Sequence, residues 1–229
     1  MICTRTVAAC AGVALALAGA AQAQWSDNFD SYATGSLLTG GWDGWDGSAA
    51  AAGIVTTDQA LSGPNSLEIS GGADAVHPFS GYTSGQWTLS AWNYIATGDL
   101  TADTYFIVNN QYNPGGPYTW AVEMQFDVDT ATVMDDFRAH TPIPVVFDQW
   151  VELRFEIDLD ADTIDSYYNG TLLSSGQYTR AAGDPLEIAN IDLFTTGARS
   201  YYDDISLIPA PGASLLLAMG LGAMTRRRR

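Results

Sequence analysis

The strongest constraint on this chain's fold is a two-residue alternation that recurs along most of its length. In residues 118–128, Trp120, Val122, Met124, Phe126 and Val128 fall on one face, and Glu123, Gln125 and Asp127 fall on the other. In residues 150–158, Val151, Leu153, Phe155 and Ile157 point one way, while Glu152, Arg154 and Glu156 point the other. Trp87, Leu89 and Ala91 share a face in a third run, with Trp92 and Tyr94 in the opposite phase. Successive side chains of an extended chain point to opposite faces, so each run reads as a strand buried on one side. Shorter runs at 105–108, 186–194 and 201–208 are of the same kind, and 164–168 with Asn169-Gly170 and Leu172-Leu173 reads as a hairpin. No segment of this central region has a helical period. Ten or more short strands, separated by Gly-rich loops such as 40–47 and 113–117, predict an all-β, two-sheet sandwich.

The two ends depart from this pattern. Arg5, the apolar stretch 7–20 and Ala21-Gln22-Ala23 have the layout of a signal peptide cut by signal peptidase before Gln24. At the other end, Pro209-Ala210-Pro211-Gly212 precedes an apolar stretch, expected as a short helix, and then Arg226, Arg227, Arg228 and Arg229. The apolar part, 213–225, would be about 20 Å long as a helix, against a hydrocarbon core of about 30 Å. That length suits transient membrane association better than a permanent span. The expected organisation is a signal peptide at 1–23, one sandwich domain at 24–208 and a sorting tail at 209–229. The expected localisation is export to the cell surface or beyond.

Charge narrows the function. Both cysteines, Cys3 and Cys10, lie in the signal segment, so the domain has no thiol chemistry. It has no Lys, and its four Arg against 26 acidic residues leave a formal charge of −22. Such a surface excludes nucleic acid, whose phosphates need basic partners. Two isolated histidines, His77 and His140, offer neither a zinc set nor a catalytic triad.

The tail, with its Pro motif, apolar run and Arg cluster, resembles a PEP-CTERM sorting signal. Ala210 stands where that family usually has Glu. The resemblance implies recognition and removal by an exosortase-type transpeptidase through Pro209, Pro211, Gly212 and the four terminal Arg. The domain resembles concanavalin A-like and laminin-G-like jelly rolls. The residues that carry this are 85–92, 149–153, the acidic turn 158–162, 166–170, and the flanking segments 28–32 and 201–207. Lectins, glucanases and adhesion modules belong to that superfamily.

Three constellations are candidates for function. Glu156, Asp158 and Asp160 share the phase of a laminarinase-like catalytic motif, in which paired carboxyl groups attack and protonate a glycosidic bond. Asp160 is one methylene shorter than the Glu of that pattern. Asp158, Asp160 and Asp162 also alternate as hard oxygen ligands, although without the Gly and distal Glu of an EF-hand loop. The jelly-roll resemblance implies a structural Ca²⁺ site at Asp27, Asp30 and Asp204. Trp92, Tyr94, Glu123, Gln125 and Asp127, with Trp42 and Trp45 on the Gly-rich loop, would stack on and hydrogen-bond sugar rings. Arg154 is expected in a cross-strand ion pair. Together these features favour a non-catalytic domain binding extracellular polysaccharide or another surface component. A laminarinase-like glycoside hydrolase and a purely structural matrix protein are the alternatives.

Overall fold

The computed structural model describes residues 24–98 and 102–210, so the signal segment and most of the tail lie outside the described residues. In chain order the strands are β1 (Trp25–Asp27), β2 (Gly35–Ser36), β3 (Asp43–Gly44), β4 (Ile54–Thr56), β5 (Ser66–Ile69), β6 (Asp74–Pro78), β7 (Gln86–Ile95) and β8 (Thr104–Tyr112). They continue as β9 (Tyr118–Asp127), β10 (Thr132–Asp135), β11 (Ile143–Pro144), β12 (Trp150–Asp158), β13 (Thr163–Tyr168), β14 (Thr171–Gln177), β15 (Asn190–Thr195) and β16 (Ser200–Pro209). One sheet has nine strands, in the order β14-β13-β12-β7-β16-β5-β4-β2 with β1 also on β16. The other has seven, β11-β10-β9-β8-β15-β6-β3. The described strand pairs are all antiparallel. The expected all-β sandwich is therefore the fold.

The alternation explains the two layers. Leu89, Ala91, Leu153, Phe155 and Ile157 face inward from the nine-stranded sheet. Phe106, Val108, Val122, Met124, Phe126, Ile191 and Leu193 meet them from the seven-stranded one. Phe106 and Phe155 stack between the layers with centroids 5.2 Å apart and planes 17° apart. Burying such a side chain stabilises the fold by roughly 1.5–3 kcal/mol. The hairpin β13–β14 turns on Asn169 and Gly170, both at positive φ (49° and 72°), which Asn and Gly tolerate best.

Of the bulges that disturb the alternation, two matter for the surface. Val108 pairs with Val122, but Asn109 pairs with Trp120, so Ala121 is an extra residue in β9. Ala121 and Val122 are both fully buried, and Trp120 is turned to the outer face. This corrects the expectation that Trp120 continues the buried row. In β16 the register slips between Asp203 and Ser206, where Asp204 takes a positive φ of 45°. The buried Asp203 carboxylate accepts the N–H groups of Leu61, Ser62 and Asp204 at 2.8–3.1 Å, fixing the loop beside this bulge.

Candidate functional site: an aromatic groove with a carboxyl floor

The expected sugar-binding set does not form one surface. Trp92 and Tyr94 lie on β7, on the outer face of the nine-stranded sheet, while Glu123, Gln125 and Asp127 lie on β9, in the other sheet. The thickness of the sandwich separates them. Trp42 is in the core at 3 % exposure, because its Nε1–H donates to Asp27 Oδ2 at 2.9 Å and its ring packs on Phe29 and His77. It is corrected from ligand-binding loop residue to core residue. Trp45 is half-buried and belongs to a different surface.

That surface is the outer face of the seven-stranded sheet. A groove of about 400 Å³ is lined by Trp45, Tyr118, Trp120, Ile107 and Phe194, with Asp74, Glu123 and Asp192 among them. The bulge at Ala121 delivers Trp120. Trp45 is delivered by the turn after β3, and Asp46 anchors it. The Asp46 carboxylate accepts Tyr118 O–H at 2.7 Å and Gly115 N–H at 2.8 Å, and its own N–H donates to Tyr112 Oη at 3.1 Å. Trp45 consequently packs on Tyr112 and Tyr118 at 4.8 and 4.9 Å, with Trp120 nearly parallel to it at 6.4 Å and 19°. The bond to Asp46 pushes the Tyr118 phenol up to about 12.

The floor is acidic. Asp192, Ile107 and Glu123 stand in one row across β15, β8 and β9. Asp74, on β6, lies beside Asp192, and Asp136, just past β10, lies beside Glu123. Two carboxyl groups hydrogen-bond only if one holds a proton. Burial, reinforced by Asp136, pushes Glu123 up to about 7. Burial and Asp74 raise Asp192 well above the usual carboxylate range, and Asp74 and Asp136 are raised mainly by burial. Gln125 donates to Asp103 at 2.7 Å, and Asp127 caps the β9–β10 turn by accepting Thr130 N–H at 2.9 Å, so neither lines the groove. Next to the groove, Arg180 lines a neighbouring depression with Tyr118 and Trp120, its guanidinium 3.7 Å over the Phe137 ring. Arg138 is buried, paired with Asp135 at 3.1 Å and donating to Ala121 O at 2.7 Å.

Asp74, Asp136 and Asp192 were not anticipated from the sequence, nor was Trp120 as a surface residue. The alternation Ile191-Asp192-Leu193 does put Asp192 outward. Its partner Asp74, however, arrives on a strand more than a hundred residues earlier, and only the strand order reveals that.

The other candidates are bound up in local structure. β12 ends at Asp158, so Asp160 lies in the turn and does not continue the face of Glu156 and Asp158. Glu156 is paired with Arg154, and Asp160 accepts Gly85 N–H at 2.9 Å. Asp158 accepts Gln86 Nε2–H at 2.7 Å, which holds its carboxyl below the usual range, unlike a general acid. Arg154 pairs along its own strand with Glu152 and Glu156, because its cross-strand neighbour is Tyr167, over whose ring it lies at 3.9 Å.

The calcium candidates do not converge either. Asp27 accepts Phe29 N–H, Tyr32 O–H and Trp42 Nε1–H at 2.7–2.9 Å; Asp30 accepts Asn65 N–H at 3.1 Å; Asp204 accepts Ser62 O–H at 2.7 Å. Asp27 and Asp204 share a cleft of about 720 Å³ that Asp30 does not line. Asp162 accepts Thr179 N–H at 2.9 Å. Among the described residues no three His, Cys, Asp or Glu side chains are placed to hold a metal ion. His77 lies in β6, buried against Trp25 at 4.4 Å, and burial lowers its pKa. His140 accepts Asp135 N–H at 3.2 Å. Pro209 ends β16 opposite Trp87; Pro211, Gly212 and Arg226–Arg229 lie outside the described residues.

No family model matches the chain, and no curated protein does. Solved structures are similar in fold. A sialidase aligns at 12% identity and a TM-score of 0.58, over 83% of this chain and 19% of its own. An endo-β-1,4-glucuronan lyase from the fungus Trichoderma reesei aligns at 11% identity and a TM-score of 0.54, over 79% of this chain and 96% of its own. The alginate lyase Aly36B gives 13% and 0.51, over 82% and 98%. The chain spans about a fifth to a third of the sialidases' length and nearly all of either lyase's. At these identities the likeness defines the fold alone, a two-sheet antiparallel β-sandwich.

Proposed function

We propose that this chain is an exported surface or matrix protein whose jelly-roll sandwich binds extracellular polysaccharide, without catalysis, in the groove of the seven-stranded sheet. The observation that carries this is the shelf of Trp45, Tyr118 and Trp120. These rings are held by Asp46 and a bulge beside open space, not packed into the core. Fixed aromatic faces next to hydrogen-bonding groups suit sugar rings, whose C–H faces stack and whose hydroxyls bond at the edge. The likeness to a sialidase and two polysaccharide lyases supports the class of ligand by analogy. The signal-like start and the sorting-like tail support export, with signal peptidase and an exosortase-type transpeptidase as processing partners and brief residence at the membrane. A structural Ca²⁺ in the cleft that Asp27 and Asp204 line is a separate proposal, which a melting shift with Ca²⁺ over EDTA tests.

The test is a glycan array on the intact chain, followed by titration of Trp120→Ala and of Trp92→Ala. Trp120→Ala is expected to weaken binding by about 2 kcal/mol, the loss of one buried aromatic anchor. Trp92→Ala is expected to leave binding unchanged; the reverse pattern would move the site to the other sheet. One observation favours a second reading. Glu123 keeps its proton to about 7, as a general acid needs, so a glycoside hydrolase would work through Glu123 rather than Glu156. Release of reducing ends from a bound polysaccharide, lost in Glu123→Gln, would establish that reading.

A further inference from the structure

The carboxyl floor says more about the ligand than the aromatic shelf does. Asp192 is only 3 % exposed, yet it lines the groove, and no N–H or O–H group of the protein reaches its Oδ1. Asp74 Oδ1 is equally without a donor. The two groups satisfy each other only by keeping a proton between them. A buried acceptor left without a donor costs about 1–3 kcal/mol, so a ligand that brings donors is strongly favoured here. Glu123, across Ile107 in the same row, adds a third acceptor.

We infer that the groove selects glycans bearing unacetylated amino sugars, whose ring ammonium docks on Asp192, Asp74 and Glu123 beneath the aromatic shelf. This inference rests on the carbohydrate-binding reading above. An ammonium brings three donors and a full positive charge, whereas a hydroxyl brings one donor. The faces of Trp45, Trp120 and Phe194 favour the same cation. Sugars carrying carboxylate or sulfate meet like charge instead. Arg180, the cation that acts on Glu123, lies over Phe137 at one end of the surface.

Charge coupling follows from the surroundings. Glu123 faces Asp136 and Asp135 from the β10 side and also feels Arg180. Asp192 faces Asp74 and Glu123, and Asp74 faces Asp46. Asp136 faces Asp135, Asp103 and His140. Acidic groups predominate, so the pairs retain protons until a cation replaces them. Binding an ammonium therefore releases protons, and binding a neutral sugar does not.

The experiment is isothermal titration of the intact chain at about pH 6.5, where an amine resembling the α-amino group is protonated. The probes are a glucosamine oligosaccharide, its N-acetylated counterpart and a uronate oligosaccharide, each in two buffers of different ionisation enthalpy. The glucosamine probe is expected to bind about tenfold tighter than the N-acetylated one, the scale of one charge-assisted hydrogen bond. It should do so with buffer-dependent heat and with weakening in salt. Asp192→Asn, and separately the half-buried Glu123→Gln, should weaken the glucosamine probe by more than the N-acetylated one and so bring the two toward parity. Equal affinity without proton release, or preference for the uronate, overturns the inference and leaves the carbohydrate reading standing. Binding of none of the three overturns both.

Discussion

The two outer faces of the sandwich carry similar residues and use them differently. On the nine-stranded sheet Tyr94 packs on Trp150 and Tyr201 at 5.6 and 6.1 Å, and Arg154 lies between Glu152 and Glu156. Each of these carboxylates has a counter-charge, and the aromatic rings pack on one another. On the seven-stranded sheet the aromatics stand around a groove, and the floor carboxyl groups are paired with other carboxyl groups. A face whose charges are neutralised in place is a finished surface. A face that stores protons on acid pairs has unused capacity for a partner. That difference, more than the count of exposed aromatics, locates the site.

The largest expected effect tests what holds the groove in shape. Arg138 is 6 % exposed, paired with Asp135 at 1 % exposure, and also donates to the carbonyls of Ala121, Gln177 and Tyr178. Ser174 donates to the same Asp135 from β14, in the other sheet. Arg138 thus ties the bulged residue under Trp120 to the opposite layer. Arg138→Ala leaves Asp135 as a buried, uncompensated charge, and a loss of about 3–5 kcal/mol in urea unfolding is expected. A loss below about 1 kcal/mol would mean that water reaches Asp135 and the tie is not structural.

How much of this was legible in the sequence follows from the reach of each signal. Alternation is local, so 150–158 and the hairpin at Asn169-Gly170 could be read directly. A bulge is also local, but Ala121 has no composition that marks it, and an unbroken count put Trp120 inside. Sheet membership is not local at all. Glu123 and Trp92 look alike as outward polar-face residues until strand order puts β9 and β7 in different layers. Trp42 looked exposed because Gly surrounds it. Yet Gly41 is small because His77 lies against it, where an added Cβ would come within 2.5 Å of Nε2. The glycines there serve close packing around a buried ring as well as loop freedom.

The next effect is on pH dependence. Glu123 has its pKa raised from 4.5 to about 7 in the folded state. A raised carboxyl contributes stability that is fully present below its unfolded value and is lost as pH rises through the folded one. Asp74, Asp136 and Asp192 are shifted the same way. Stability should therefore fall between about pH 4.5 and 7. For Glu123, half open to solvent, the amount is on the order of 1 kcal/mol after screening. Asp158, on the other sheet, is lowered, so its contribution is present above the unfolded value and lost as pH falls through the folded one. His77, kept neutral by burial, also erodes stability toward acid. Urea midpoints for the wild type and Glu123→Gln across this range isolate the carboxyl contribution. A decline that is equally steep in the variant would remove Glu123 from the account.

The smallest effect is expected where the face is already finished. Arg154 keeps 26% of its side chain exposed between Glu152 and Glu156, at 37% and 45%. Exposed pairs of this kind contribute about 0–1 kcal/mol, because solvent screens the attraction and ordering long side chains costs entropy. The guanidinium over Tyr167 adds packing more than charge. Arg154→Ala is expected to lower stability by less than about 1 kcal/mol and to leave glycan binding untouched. A double-mutant cycle with Glu156→Gln should give a coupling of about 0.5 kcal/mol that vanishes in high salt. Coupling several times larger would show that this face also stores charge in a poorly solvated setting, and the contrast between the two sheets would then have to rest on the aromatic shelf alone.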